Sequence, residues 1–126
     1  MARQLGNLEK LVMDRIWSWG HPVAVREMLE DLQRERTLAY TTVMTVMDNL
    51  HRKGVLTREK DGRAYVYRAA VTREQHTAAF MGDVLSDNVD TTATLLHFLE
   101  QMPPGEVARL RDALDEHLKD GRGTAQ

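Results

Sequence analysis

The stretch that decides the fold runs from residue 39 to residue 69 and has the sequence AYTTVMTVMDNLHRKGVLTREKDGRAYVYRA. Up to Gly54 its apolar residues recur at helical spacing, and after Gly54 they alternate as in strands. We predict a helix over 39–53, a strand over 55–60, a tight turn at Asp61-Gly62 and a returning strand over 63–69. A helix followed by a hairpin, with further helices before it, is the layout of a winged helix-turn-helix.

The predicted helix has an apolar face and an opposite face of short polar side chains. At about 100° per residue, the apolar arc, which is expected to pack inward, holds Ala39, Val43, Val46, Met47 and Leu50. The other arc carries Thr41 and Thr45, with Thr42 beside them, where a surface helix normally has Glu and Lys pairs. Short hydroxyl side chains let a helix approach the major groove and contact phosphates, base edges and thymine methyls. This face therefore predicts contact with double-stranded DNA.

Basic side chains surround the predicted hairpin although the chain as a whole is acidic. Residues 1–70 carry twelve Lys and Arg against nine Asp and Glu, and the remainder carries five against ten. We predict that Arg52 and Lys53, which end the helix, anchor phosphates. Lys60 and Arg63 flank the turn and are expected to lie along the DNA backbone or in the minor groove.

Asp48, Tyr65 and Tyr67 lie in this stretch but are not expected to contact DNA directly. A phosphate would repel Asp48, which either accepts a hydrogen bond from a cytosine amine or pairs with Arg52 one turn later. We favour the pair with Arg52. Tyr65 and Tyr67 are expected to pack within the hairpin rather than to stack on bases.

Two helices are predicted before this stretch, and they complete a DNA-binding domain over residues 1–70. The first begins with Asn7 as its N-cap and ends near Gly20. The second covers about residues 23–34.

Residues 71–120 are predicted to form a helical dimerisation domain, and residues 121–126 a disordered tail. The first of these helices begins with a capping box over Thr72 to Gln75. Short helices with so many apolar side chains cannot bury them all against the hairpin, so a second copy of the chain is expected to cover them. The predicted interface residues are Phe80, Val84, Leu95, Leu96, Leu99, Leu110 and Leu114. The two-fold symmetry of such a homodimer matches a palindromic operator.

The fold class that follows is mainly α with a small β-hairpin wing. It combines an N-terminal winged helix-turn-helix with a C-terminal helical dimerisation region.

Short runs along the chain form a further pattern, made of Leu8-Glu9, Val12-Met13, Ile16-Trp17, Val25-Arg26-Glu27, AYTTVMTVMDNLHRKG (39–54) and GRAYVYRA (62–69). This pattern resembles the penicillinase-repressor (BlaI/MecI) family of winged-helix transcriptional repressors over nearly the whole chain, and 39–54 is its most specific part. The resemblance implies a homodimeric repressor of a palindromic operator, with genes of the β-lactam-resistance type as targets. It also implies that recognition-helix contacts fall on Thr41, Thr42, Met44 and Thr45.

The same resemblance implies how repression ends. In that family a membrane sensor-protease cuts the repressor between an Asn and a Phe, in a segment similar to LLHFLE at 95–100. The corresponding position here is His97-Phe98, with His97 in place of the Asn, and we expect the bond to stay intact if the Asn is required. The copper-responsive branch binds metal through a cysteine-rich tail, which a chain without cysteine excludes.

Composition and motifs argue against other classes of protein. No apolar run approaches the roughly 18 residues that span a bilayer, and no secretion signal is visible, so we expect a cytoplasmic chain without membrane insertion. Without cysteine, and with five scattered histidines and no catalytic motif, neither a metal, a cofactor nor an enzyme activity is expected. Two alternatives remain: a winged helix for protein–protein contact, which the threonine face disfavours, and a repressor of the same fold that senses a small molecule.

Overall fold

The computed structural model describes residues 5–87 and 90–120, and in these ranges the chain forms six helices and three short strands. In chain order they are α1 Asn7–Trp19, β1 Val23–Ala24, α2 Val25–Leu32, α3 Tyr40–Arg52, β2 Leu56–Asp61, β3 Ala64–Ala69, α4 Arg73–Leu85, α5 Thr91–Leu99 and α6 Pro104–Asp120. This confirms the predicted fold class, mainly α with a β-hairpin wing. Within the described ranges no helix is long and apolar enough to cross a membrane. The tail predicted over 121–126 lies outside the described residues.

Contacts between residues divide the chain into two units, with the boundary after Val84. The first unit holds α1 to α3, the sheet and nearly all of α4, and the second holds α5 and α6. By its contacts α4 therefore belongs with the first unit, although the sequence placed it in the predicted dimerisation domain. The predicted boundary at residue 70 separates two functions, DNA binding and dimerisation, and stays a prediction.

One apolar cluster forms the core of α1 to α3 and the sheet, which together we call the winged head. Val43, Met47 and Leu50 of α3 have no exposed area, and burying each side chain stabilises the head by about 1.5–3 kcal/mol. Ala39 was also predicted to face inward but is exposed, because it is the N-cap of α3 and lies before the first helical turn. The other core residues are Val12, Met13, Ile16, Val23, Val25, Met28, Leu32, Val55, Leu56 and Tyr67.

The sheet is antiparallel with strand order β1-β3-β2, and we call its hairpin β2–β3 the wing. Asp61 pairs with Ala64, so the turn consists of Gly62 and Arg63, and the predicted turn is wrong by one residue. Gly62 has a φ of 69°. A positive φ at the first turn position is typical of the type II′ hairpin turn, and glycine adopts it without strain. Arg63 therefore lies at the tip of the wing itself.

The second helix begins later than predicted because the chain first pairs with the sheet. Val23 and Ala24 form β1 and pair with β3. Helix α2 starts at the next residue and ends at Leu32, so the predicted range 23–34 is too long at both ends. A two-residue strand is too short to show a period in the sequence. Its pairing nevertheless satisfies backbone groups on the second edge of β3.

The first turn of α4 is tied to α1. Gln75 N–H donates to Thr72 Oγ1 over 3.0 Å, and Thr72 N–H donates to Gln75 Oε1 over 2.9 Å, which confirms the predicted capping box. From α1, Trp17 Nε1 donates to the carbonyl oxygen of Val71 over 2.9 Å. The segment between the wing and α4 is thus fixed against the head.

Glu9, rather than Asn7, organises the start of α1. The N-cap is Gly6, so the prediction of Asn7 is wrong by one residue. Gly6 has no side chain to cap the helix, and Glu9 reaches back to accept its N–H over 2.9 Å. The same carboxylate accepts from Lys53 Nζ over 2.7 Å and so joins the start of α1 to the end of α3. Gly20 ends α1 with a φ of 70°, as predicted.

These contacts shift the titration of Glu9, whose side chain is 12% exposed. Burial favours the neutral acid. The hydrogen bonds from Lys53 and the Gly6 N–H, together with the charge of Lys53, outweigh burial and hold the pKa of Glu9 below its usual value of 4.5. The ionised carboxylate therefore stabilises the folded chain.

Glu9→Gln is expected to destabilise the fold by about 1–2 kcal/mol near neutral pH, because the Lys53 ammonium loses its charged partner. The folded-state pKa is lowered, so the wild-type advantage is complete above about pH 4.5 and disappears as the pH falls through the folded-state pKa. Urea unfolding of both proteins near neutral pH and at about pH 3 measures this difference. Glu30→Gln, at an exposed position on α2, is the control. A difference between wild type and Glu9→Gln that is the same at both pH values would contradict the prediction.

Candidate nucleic-acid interface

The outer face of α3 presents the residues predicted to contact DNA. Thr41, Thr42, Met44 and Thr45 are all exposed, because burial of Val43 on the same helix fixes its rotation. Three of the four side chains are short, so the backbone of the first two turns of α3 can come close to a DNA duplex. A recognition helix uses its N-terminal residues in this way when it enters the major groove.

Tyr40 is a further exposed residue of this helix that the sequence reasoning missed. It is the first residue of α3, is 45% exposed, and lies one helical turn before Met44, which is 42% exposed. Large apolar groups at this spacing can contact thymine methyls or sugars. The sequence could have indicated Tyr40, because it directly precedes Thr41 and Thr42, which were predicted to contact DNA.

Asp48 on α3 lies between two arginines. Arg52 Nε is 3.1 Å from Asp48 Oδ2, which confirms the predicted pair. Arg58 Nη1, on β2, donates to Asp48 Oδ1 over 3.0 Å. The sequence reasoning missed this second contact, because a loop separates the two residues and only the folded chain brings them together. With two guanidinium groups against one carboxylate, the local charge remains positive.

The two tyrosines predicted to pack within the hairpin differ: Tyr67 packs into the core of the head, and Tyr65 beside it is 37% exposed. Tyr67 is 2% exposed, and its hydroxyl oxygen accepts from Arg58 Nη1 over 3.4 Å. The guanidinium of Arg58 also lies 4.2 Å from the ring centroid of Tyr65, a distance at which a cation is attracted to an aromatic ring. Both tyrosines therefore hold Arg58 in place.

The cations predicted to contact phosphates differ in how accessible they are. Lys60 and Arg63 are exposed on the wing, and no carboxylate pairs with either in the part of the chain that the structure describes. Arg52 is 75% exposed. Lys53 differs, since its side chain is only 22% exposed and its ammonium pairs with Glu9. A phosphate would have to compete with Glu9 for Lys53, whose role in DNA binding stays a prediction.

The residues predicted for dimerisation include several large exposed apolar side chains. Leu96 is 57% exposed and Leu114 is 50% exposed, whereas Phe80 and Leu99 are partly buried. The other members are also exposed, at 55% for Val84, 38% for Leu95 and 40% for Leu110. Their role as an interface stays a prediction.

The candidate cleavage position lies in the last turn of α5. The His97 side chain is 78% exposed, and its Nδ1 is 3.3 Å from Glu100 Oε1. Phe98 is 48% exposed. The bond between these residues is therefore at the surface but within a helix.

Comparisons with known proteins agree on one family. A family model described as penicillinase repressor matches residues 5–116. The transcriptional regulator BlaI of Mycobacterium tuberculosis (strain CDC 1551 / Oshkosh) is 41% identical over 123 residues, which cover 95% of this chain and 88% of that protein. The penicillinase repressor of Bacillus licheniformis is 27% identical over 118 residues, which cover 90% of this chain and 91% of that protein.

A solved structure is similar in fold. It is the Bacillus licheniformis BlaI monomeric form in complex with the blaP half-operator, which matches with a TM-score of 0.50 and 27% identity over 59% of this chain and 89% of that chain. The family model extends from before α1 into α6 and so includes most of both units. From the extent of this match and the identity to BlaI, this chain belongs to the penicillinase-repressor family.

Proposed function

We propose that this chain is a transcriptional repressor that binds operator DNA through α3 and the wing, as a homodimer on a palindromic site. The observation that carries the proposal is the exposed threonine face of α3 in the same head as the exposed cations Lys60 and Arg63. A protein of the same family, BlaI of Bacillus licheniformis, is bound to a half-operator in its solved structure. We place the proposed activity in the cytoplasm, where the operator is.

The helix and the wing would make different kinds of contact. The hydroxyl and methyl groups of Thr41, Thr42 and Thr45 suit base edges and thymine methyls, which carry sequence information. Lys60 and Arg63 suit phosphates, which supply affinity that depends on salt and very little on sequence. Recognition by α3 and anchoring by the wing are therefore separable by mutation.

A second copy of the chain would cover the apolar residues of α5 and α6. Leu95, Leu96, Leu110 and Leu114 are between 38% and 57% exposed, and monomeric proteins rarely expose apolar side chains in large groups. A two-fold dimer would carry two copies of α3 related by its axis. Such a pair matches half-sites about 34–36 Å apart, which is one turn of DNA.

Relief of repression by a membrane sensor-protease, with genes of the β-lactam-resistance type as targets, rests on the family resemblance. The bond between His97 and Phe98 is exposed but helical. A protease needs an extended substrate, so the end of α5 would have to unwind locally before cleavage.

The proposed function is tested by selecting fragments of genomic DNA that the chain retains. We expect enrichment of fragments that share a palindrome, and we call the most enriched sequence the operator duplex. Recovery of fragments without a common sequence would contradict the proposal.

Arg63→Ala is expected to weaken binding to the operator duplex and to a random duplex by the same factor. The slope of log affinity against log salt should fall by about one unit, because one phosphate contact is lost. Fluorescence anisotropy titrations over a series of salt concentrations measure both effects. Arg109→Ala, which removes a cation from α6, should leave the slope unchanged. A loss confined to one operator variant would exclude a backbone role for Arg63.

Thr45→Ala is expected to alter sequence preference more than affinity for random DNA, because its hydroxyl and methyl face base edges in the proposed complex. Binding to operator duplexes with single base-pair changes should show a relaxed preference at one position, worth about 1 kcal/mol. Thr77→Ala, at an exposed position of α4, controls for the change in helix propensity. An equal loss on operator and random DNA would rule out base recognition by Thr45.

Leu96→Asp is expected to produce monomers, because a carboxylate would be buried without a partner in the proposed interface. Sedimentation equilibrium measures the association, and operator binding should weaken as the dimer is lost. Thr92→Asp adds the same charge at an exposed position near the start of α5 and should leave the dimer intact. A Leu96→Asp protein that remains a tight dimer would refute this interface.

A further inference from the structure

Asp48 is an acidic residue on the helix proposed to enter DNA, and a carboxylate there repels phosphates. Its side chain is 30% exposed, and it lies less than one turn after Thr45. If Asp48 only added negative charge, it would weaken the proposed binding. Its contacts indicate a different role.

Each carboxylate oxygen of Asp48 takes one arginine. Oδ2 lies 3.1 Å from Nε of Arg52, and Oδ1 accepts from Nη1 of Arg58 over 3.0 Å. Arg52 is on α3 and Arg58 is on β2, so one carboxylate links the helix to the wing. Charge-assisted hydrogen bonds are roughly twice as strong as neutral ones. The Arg58 side chain is only 26% exposed, which limits competition by water.

Arg58 is also held from β3. Its Nη1 donates to the hydroxyl oxygen of Tyr67, a residue buried in the core of the head. Its guanidinium lies over the ring of Tyr65. Arg58 is thus fixed between α3 and β3, and turning it toward solvent would break its contacts with Asp48 and with both tyrosines.

The outer part of the wing has few other attachments. Residues 59–65 are all exposed. Among the hydrogen bonds and ion pairs of residues 5–87 and 90–120, the contact between Asp48 and Arg58 is the one side-chain link from α3 to the wing. This contact therefore adds a side-chain link between α3 and the wing to the backbone pairing of β3 with β1, which joins the wing to the rest of the head.

We propose that Asp48 is a positioning residue for DNA binding, a role that rests on the proposed function. Through Arg58 it fixes the wing relative to α3, so that the tip and the recognition helix meet the DNA together. Through the Nε of Arg52 it orients that guanidinium and leaves its terminal NH₂ groups to donate to a phosphate. Asp48 makes no contact with DNA itself.

Positioning and repulsion predict opposite effects of removing the charge. Asp48→Asn preserves the shape of the side chain and would tighten binding if the carboxylate only repelled phosphates. If Asp48 positions the wing, affinity for the operator duplex falls about tenfold, as expected for the loss of a charge-assisted hydrogen bond. The salt dependence should also become shallower, because phosphate contacts of the wing are lost.

Asp61→Asn is the matched control. Asp61 is an exposed carboxylate at the end of β2, and no ion pair involves it among the described residues. Removing its charge should leave affinity for the operator duplex unchanged or slightly increased. Anisotropy titrations of wild type, Asp48→Asn and Asp61→Asn, with thermal melts to check folding, make the comparison.

Hydrogen exchange in the free protein tests the same link without DNA. Asp48→Asn should speed exchange of the backbone amides of β2 and β3 while those of α1 and α2 stay as in the wild type. Arg58→Gln should speed exchange of the same amides at least as much, because it also removes the contacts with Tyr65 and Tyr67. The double variant should be no worse than Arg58→Gln alone, because the contact between Asp48 and Arg58 is already lost in that variant. Asp61→Asn should have no effect.

An Asp48→Asn protein that binds the operator duplex as tightly as the wild type would overturn the proposal, and so would unchanged exchange in its wing. If the wild-type chain enriches no common sequence from genomic DNA, the proposed function fails instead. Hydrogen exchange then still decides whether Asp48 holds the wing.

Discussion

The winged head depends on the burial of one side of α3. Val43, Met47 and Leu50 have no exposed area and pack in one cluster with residues of α1, α2 and the sheet. Rotating the helix by one residue would bury polar side chains, Thr42 and Asn49 in one direction or Asp48 and His51 in the other. It would also expose large apolar side chains, at a cost of several kcal/mol. The core therefore fixes the rotation of α3, and the outward position of Thr41 and Thr45 is its consequence.

Two carboxylates then determine which basic side chains are available to a ligand. Glu9 holds Lys53 between α1 and α3, and Asp48 holds Arg58 between α3 and the wing. Lys60 and Arg63 are exposed on the wing and have no such partner among the described residues. Basic residues that look equivalent in the sequence thus divide into those that stabilise the head and those that can contact phosphates.

The second unit differs from the head because it exposes large apolar side chains. Its helices α5 and α6 carry exposed leucines, whereas buried apolar residues form the core of the head. The sequence from Leu85 onward is also acidic, with eight Asp and Glu against four Lys and Arg. Apolar side chains with an acidic balance suit contact with another protein surface better than contact with DNA.

The sequence by itself determined the features that depend on neighbouring residues. The period over 39–53 predicted α3 and its threonine face, Thr72 and Gln75 predicted a capping box, and the spacing of Asp48 and Arg52 predicted their pair. Each of these follows from helix geometry, in which residues three or four positions apart lie side by side. The resemblance of the segment 39–54 to the penicillinase-repressor family also needed no structure.

Only the tertiary structure decided the features that join residues distant along the chain. The pairing of β1 with β3, the contact of Lys53 with Glu9 and the contact of Arg58 with Asp48 all connect different elements. No local pattern encodes them, because partners are chosen when the core sets the distances between elements. The sequence predicted α3 as the recognition helix, and only the fold showed that the acidic residue of this helix contacts the wing.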